Sequence, residues 1–214
     1  MNIINGILTC LTLAMVAKGA IVTQTGAGGA VPDNNATGVS FDITIADTRV
    51  VSDVRLFFTN FSHTYMGDLV ITLEHVGVAG PVTVLNRLGN TQDAALCVYP
   101  AGCRANLISG GTYGFITSGT DWASLGDTNL TDYTYDIPFD DYTSFNSLAA
   151  LTGSSANGTW RIHVSDNESS DFSNSNWTWG VDLTVPDETG VPEPSAAALV
   201  GLALASLAVR LRHR

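Results

Sequence analysis

Lysine is all but missing from this chain: Lys18 is the single one, and Asp plus Glu outnumber Lys plus Arg by 20 to 9, for a net charge of −11. Neutralising phosphates takes many cations, so this balance excludes a nucleic-acid partner and makes cations the natural counter-charges. Charged residues are only 14% of the chain. The long straight-chain helix formers are scarce, while Thr, Ser, Asn, Asp and Gly crowd the middle, which favours strands and turns over helices. Cysteine is sparse as well, with three in all. Cys10 lies in an N-terminal apolar run, which leaves Cys97 and Cys103 around a short loop. Two thiols without neighbouring Cys or His fall short of the four ligands of structural zinc, and an oxidising compartment would join them as a disulfide.

Both ends carry targeting patterns. Residues 1–19 form an apolar run of signal-peptide length that ends in small residues, so the chain is expected to be exported. At the other end Val191-Pro192-Glu193-Pro194 precedes an apolar run from Ala196 to Val209, and Arg210, Arg212 and Arg214 follow. As a helix that run reaches only about 21 Å, short of the roughly 30 Å hydrocarbon core, so a transient sorting signal fits better than a permanent span. The order of Pro-Glu-Pro, short hydrophobic helix and terminal Arg cluster resembles the PEP-CTERM tail of exported bacterial proteins. That resemblance implies an exosortase-type sorting enzyme as partner, brief anchoring in the inner membrane, and then release to the cell surface or beyond. The other reading is an ordinary membrane anchor with a positive cytoplasmic end.

Setting both ends aside leaves about 170 residues, enough for one domain with a real core. The stretch from Ala156 to Val185 anchors it. Trp160, Ile162 and Val164 alternate with polar neighbours, and so do Trp177, Trp179, Val181, Leu183 and Val185, so each run predicts a strand with one buried face. The polar loop between them makes an antiparallel hairpin the simplest pairing. Upstream, residues 20–38 show no periodicity and are expected to form a flexible leader to a domain spanning 39–186. Strands are predicted over 39–45, 50–58, 69–73 and 82–85. Weaker signals cover 113–117, 133–139 and 148–152. Residues 86–111 form a long excursion around the two cysteines. Seven to nine short strands without a helical period predict an all-β antiparallel sandwich of jelly-roll type.

Within this pattern, His63, Gly67, Asp68 and Leu69, followed downstream by Asn157-Gly158-Thr159-Trp160, Val164, Asp166 and Trp179, resemble the P domain (Homo B domain) of proprotein convertases, in its bacterial form. The resemblance covers roughly 39–185. It implies a jelly roll, similar to galactose-binding-like folds, that packs on a subtilisin-like protease and stabilises it. The chain departs from that setting, because no Asp-Thr-Gly, His-Gly-Thr or Gly-Thr-Ser segment of a subtilisin-type triad occurs in it.

A serine nucleophile needs a base and a group that orients the base, and His63, His75 and His163 are the available bases in this region. His63 belongs to the strand motif and is expected to bond a turn or pack near Trp160, and His163 is expected to face solvent. The domain is therefore expected to be non-catalytic. Calcium is the better chemical expectation, because this ion takes six to eight oxygens from carboxylates, amides and carbonyls in loops. Asp136, Asp140 and Asp141 form one acidic cluster. Asp166, Glu168 and Asp171 form another, with Asn167 and Asn174 adding amide oxygens and Asp68 joining if its turn lies at the same end. Solvated Asp and Asn turns would give the same composition. The functional expectation is an adhesive or scaffolding module at the cell surface or in the extracellular matrix. The alternatives are an accessory module of a separate subtilisin-like protease and a carbohydrate-binding module for exopolysaccharide.

Overall fold

A computed structural model describes residues 19–97 and 102–187. Pro192, Glu193, Pro194, Arg210, Arg212 and Arg214 of the expected sorting tail, and the expected signal segment up to Lys18, lie outside the described residues. The strands are β1 (Gly19–Ala27), β2 (Asn35–Ile45), β3 (Asp53–Thr59), β4 (Leu69–His75), β5 (Ala79–Asn86), β6 (Thr112–Ile116), β7 (Asp141–Thr143), β8 (Gly158–Asp166) and β9 (Thr178–Pro186). They form a five-stranded sheet ordered β1-β9-β3-β6-β7 and a four-stranded sheet ordered β2-β8-β4-β5. Pairing is antiparallel throughout except between β6 and β7. The expected all-β sandwich is the observed architecture. Among the described residues no helix is long and apolar enough to cross a membrane.

Alternation fills the space between the sheets. Trp160, Ile162 and Val164 of β8 are fully buried, as are Trp179, Val181, Leu183 and Val185 of β9. Leu69, Ile71 and Leu73 of β4 and Val54, Leu56 and Phe58 of β3 complete the same interior. Outward-facing polar residues instead pair across strands, as Arg161 of β8 does with both carboxylate oxygens of Asp42 on β2.

The expected hairpin of β8 and β9 is corrected. The two strands lie in opposite sheets: β8 pairs with β2 and β4, and β9 with β1 and β3. A period of two fixes which face of a strand is buried and says nothing of which strand lies beside it. Two strands with one apolar face each bury both by meeting across the core, and residues 167–177 span the roughly 10 Å between layers.

The expected flexible leader is also corrected. Residues 19–27 form an edge strand in continuous register with β9, from Gly19 opposite Pro186 to Ala27 opposite Thr178. An edge strand needs backbone partners on one side only, so weak side-chain patterning suffices. The glycines beyond it serve close approach: a Cβ on Gly28 would lie 2.2 Å from the Trp177 ring. That indole in turn donates from Nε1 to the Gly29 carbonyl at 2.7 Å.

Two weak strand signals fail. Leu148–Leu151 is a 3-10 turn whose preceding Ser147 accepts from the Ala149 N–H. Residues 133–139 are irregular apart from a bridge between Asp136 and Asn106. The long excursion is pinned as expected by a Cys97–Cys103 disulfide, with Cα atoms 5.1 Å apart and both residues fully buried.

Candidate functional site: an acidic cleft at one end of the sandwich

The residues that carry the family resemblance meet in two internal joints. In the first, the His75 ring stacks on Trp160 at 4.5 Å and 10° between planes. His75 Nε2 lies 3.0 Å from the Asn157 carbonyl, where it donates. Gly158 between them has φ +138°, and a Cβ there would stand 2.7 Å from His75 Nε2. The Asn-Gly-Thr-Trp spacing is thus a packing device: carbonyl, gap and indole are all set against one imidazole. His75 ends β4, so it ties that strand to the start of β8.

The second joint lies at the opposite end of the same two strands. His63 Nδ1 accepts from the Tyr65 N–H at 3.1 Å, which leaves Nε2 as donor to Asp166 Oδ2 at 3.1 Å. Both side chains are buried, at 0% and 2% exposure. As expected, His63 bonds a turn; the imidazole against Trp160 is His75. The 3-10 turn Met66–Asp68 follows at once, held by Met66 N–H to Ala105 O and Gly67 N–H to Cys103 O. The disulfide loop therefore braces this joint from behind.

Asp68 ends that turn, one residue before β4 opens with Leu69 opposite Asp166 at the end of β8. Its backbone carbonyl accepts from the N–H and Nδ2 of Asn167, so the loop 167–177 departs over the Asp68 carboxylate. Thr64 Oγ1 donates to Asp171 Oδ1 at 2.8 Å and accepts from the Phe172 N–H, pulling the loop back down. Between turn and loop lies a cleft of about 430 Å³ lined by Tyr65, Asp68, Tyr133, Glu168, Ser169, Ser170 and Asp171. Asp68 is only 2% exposed, and its buried Oδ1 has no hydrogen-bond partner. Burial, followed by the charges of Asp171 and Asp166, pushes its carboxyl up to about 7, and Glu168 acts in the same direction against Arg87.

The expected ligands are thus partly assembled. Asp68, Glu168 and Asp171 line one cleft, while Asp166, just behind it, is occupied by His63. Asn174 contributes no amide oxygen, because its Oδ1 accepts from the Ser62 N–H and its Nδ2 donates to the Asn60 carbonyl. The other acidic cluster is spent elsewhere. Asp141 pairs with Arg55 at 2.7 Å, Asp140 accepts from Thr120 Oγ1 at 2.6 Å, and Asp136 is exposed beside Asn106. Among the described residues no three His, Cys, Asp or Glu side chains are arranged so as to hold a metal ion by themselves.

Sequence reasoning missed the Tyr65 and Tyr133 walls, which belong to a turn and an irregular segment without periodicity. It also missed a Ser40–His163 pair, with Oγ 3.0 Å from Nδ1 on adjacent strands β2 and β8. That pair lies on the outer face of the four-stranded sheet, where Ser40 is exposed. The tryptophans are all interior, between 0% and 3% exposed, so they form core rather than a sugar platform.

The Asp68 environment has a consequence for stability. Between pH 4 and 7 the native state keeps the Asp68 proton that the unfolded chain has released, so native-state proton uptake is the larger and this group's contribution falls as pH rises. In chelated buffer, Asp68→Asn is therefore expected to raise the melting temperature at pH 7.5 and to leave it nearly unchanged at pH 4. The wild-type-minus-variant difference is expected to grow across that window to a few kcal/mol, since a tenfold change in proton affinity is worth about 1.4 kcal/mol. Thermal unfolding of both forms over a pH series measures it, and equal slopes would contradict it.

No protein-family model matches this chain, and no curated protein matches it. Among solved structures, a serine protease of Aeromonas sobria in complex with its chaperone is similar at TM-score 0.42 and 15% identity, over 79% of this chain and 27% of that one. The same bacterium's serine protease in another structure is similar at TM-score 0.42 and 14% identity, over 79% and 28%. Infectious bursal disease virus, Gx strain, is similar at TM-score 0.33 and 15% identity, over 86% and 38%. The chain thus spans about a quarter of the length of the protease chains, and likenesses this remote assign it neither a family nor an activity.

Proposed function

We propose that this chain is an exported, non-catalytic β-sandwich module of the P-domain type, acting as an adhesive or scaffolding unit at the cell surface or in the extracellular matrix. One observation carries the reading: the residues that resemble the P domain are used to hold the fold together. His63 and Asp166 clamp the end of β8 to a turn, and His75 fixes Asn157, Gly158 and Trp160 at its start. Side chains spent in this way are structural, and sites on such folds are grafted separately. The accessory-module reading, in which the domain docks on a separate subtilisin-like protease, draws on the same motifs and differs only in the partner.

Fractionation of producing cells tests the proposal. The chain is expected in the surface or matrix fraction as a form lacking Arg214 by mass spectrometry, and the purified form is expected to leave a casein-type substrate intact. Retention in the cytoplasm, or casein hydrolysis stopped by a serine-directed inhibitor, would overturn it. Stoichiometric co-purification with a subtilisin-like protease would replace scaffolding with the accessory role.

A further inference from the structure

We infer that the cleft between the Met66–Asp68 turn and the 167–177 loop is a calcium site, with Asp68 and Asp171 as its charged ligands and Glu168 at its rim. The buried carboxylate carries the argument. Asp68 is 2% exposed, lines the cleft, and has an Oδ1 with no hydrogen-bond partner. Buried charges are normally paired or bound to a metal, because an unpartnered one loses hydration without compensation. Here the neighbours make matters worse, since Asp166, Glu168 and Asp171 all repel it. The nearby cations are already engaged: Arg87 bonds Glu168 Oε1 at 2.6 Å and reaches the Gly67 carbonyl at 3.4 Å, and Arg104 lies over the Tyr133 ring at 4.5 Å and bonds Tyr65. Asp166 is held apart from the cleft, with its Oδ2 accepting from His63 Nε2 at 3.1 Å.

The donor chemistry selects the ion. The cleft offers oxygen donors, from carboxylates and the Ser169 and Ser170 segment, and has no thiol or imidazole for zinc. Few carboxylates meet there, so a shell must be completed by backbone oxygens and water, which calcium accepts over six to eight positions in flexible geometry. Magnesium demands a tighter octahedron and dehydrates reluctantly, and a cleft of about 430 Å³ does not impose one. The site also has a structural effect, because it would fasten the crossing loop between the two sheets to the start of β4.

Binding is read on the purified protein whatever its partner, so this inference stands or falls apart from the module reading. The experiment is calorimetric titration of the chelator-stripped full chain with calcium chloride, alongside melting curves at matched ionic strength. One calcium per chain and a rise in melting temperature of several degrees are expected. Asp68→Asn and Asp171→Asn are each expected to weaken binding at least tenfold, about 1.4 kcal/mol, while melting cooperatively in chelator. Asp140→Asn, in the remote acidic cluster, is expected to bind as the wild type does. Absence of binding heat and of any shift overturns the inference. So does an equal shift with magnesium, or binding that survives both cleft variants.

Discussion

Trp160→Ala is expected to destabilise the domain by about 3–5 kcal/mol. Trp160 is fully buried in β8, between β2 and β4. Its Nε1 donates to the Ala156 carbonyl at 3.0 Å, and its ring carries the stacked His75. Truncation therefore removes a large apolar area, leaves the Ala156 carbonyl unpaired, and takes away the surface that orients His75 toward Asn157. His75 Nδ1 already lacks a partner in this interior, so the imidazole has little else to hold it. Trp160→Phe keeps an aromatic ring for stacking and loses only the indole hydrogen bond and part of the area, so its cost is expected to be less than half as large. Urea unfolding with a common slope measures both, and equal losses for the two variants would show that stacking contributes nothing.

His63→Ala is expected to cost about 3 kcal/mol or more, because it orphans two groups at once. Asp166 loses the donor to Oδ2 inside the protein, and the Tyr65 N–H loses its acceptor. The Asp166 carboxylate is too buried for water to replace the imidazole readily. Asp166→Asn lowers the charge at the joint and is expected to cost less. In the double variant the loss is expected to fall short of the sum by more than about 0.5 kcal/mol, the signature of residues in direct contact. Additive losses from equilibrium unfolding of the four species would mean that the pair is not coupled.

The two joints show how far one dimension of information reaches. The period of two in Trp160–Val164 and Trp177–Val185 fixed the buried faces, because side-chain direction alternates along any extended chain. It could not fix that β8 and β9 lie in opposite sheets, because hydrogen-bond partners are chosen by the whole topology. The edge strand at 19–27 was invisible for a related reason: β9 supplies its backbone partners, and Gly28 makes room for Trp177, so its own side chains carry little pattern. The cysteine spacing was sufficient for the disulfide, since so short a loop limits how far apart the two thiols can be.

The acidic cleft divides in the same way. Composition alone made cations the expected counter-charges and marked Asp68, Asp166, Glu168 and Asp171 as oxygen donors. Composition marked Asp136, Asp140 and Asp141 equally, and only the folded arrangement separates them. Arg55 reaches Asp141 from another strand, Thr120 reaches Asp140, and His63 reaches Asp166 from a hundred residues away. What the sequence determined by itself was the all-β class, the buried faces, the acidic balance and the disulfide, all of which follow from local pattern or short spacing. Which carboxylate is left buried without a partner was decided by tertiary structure, because burial and pairing depend on elements that meet only when the chain is folded.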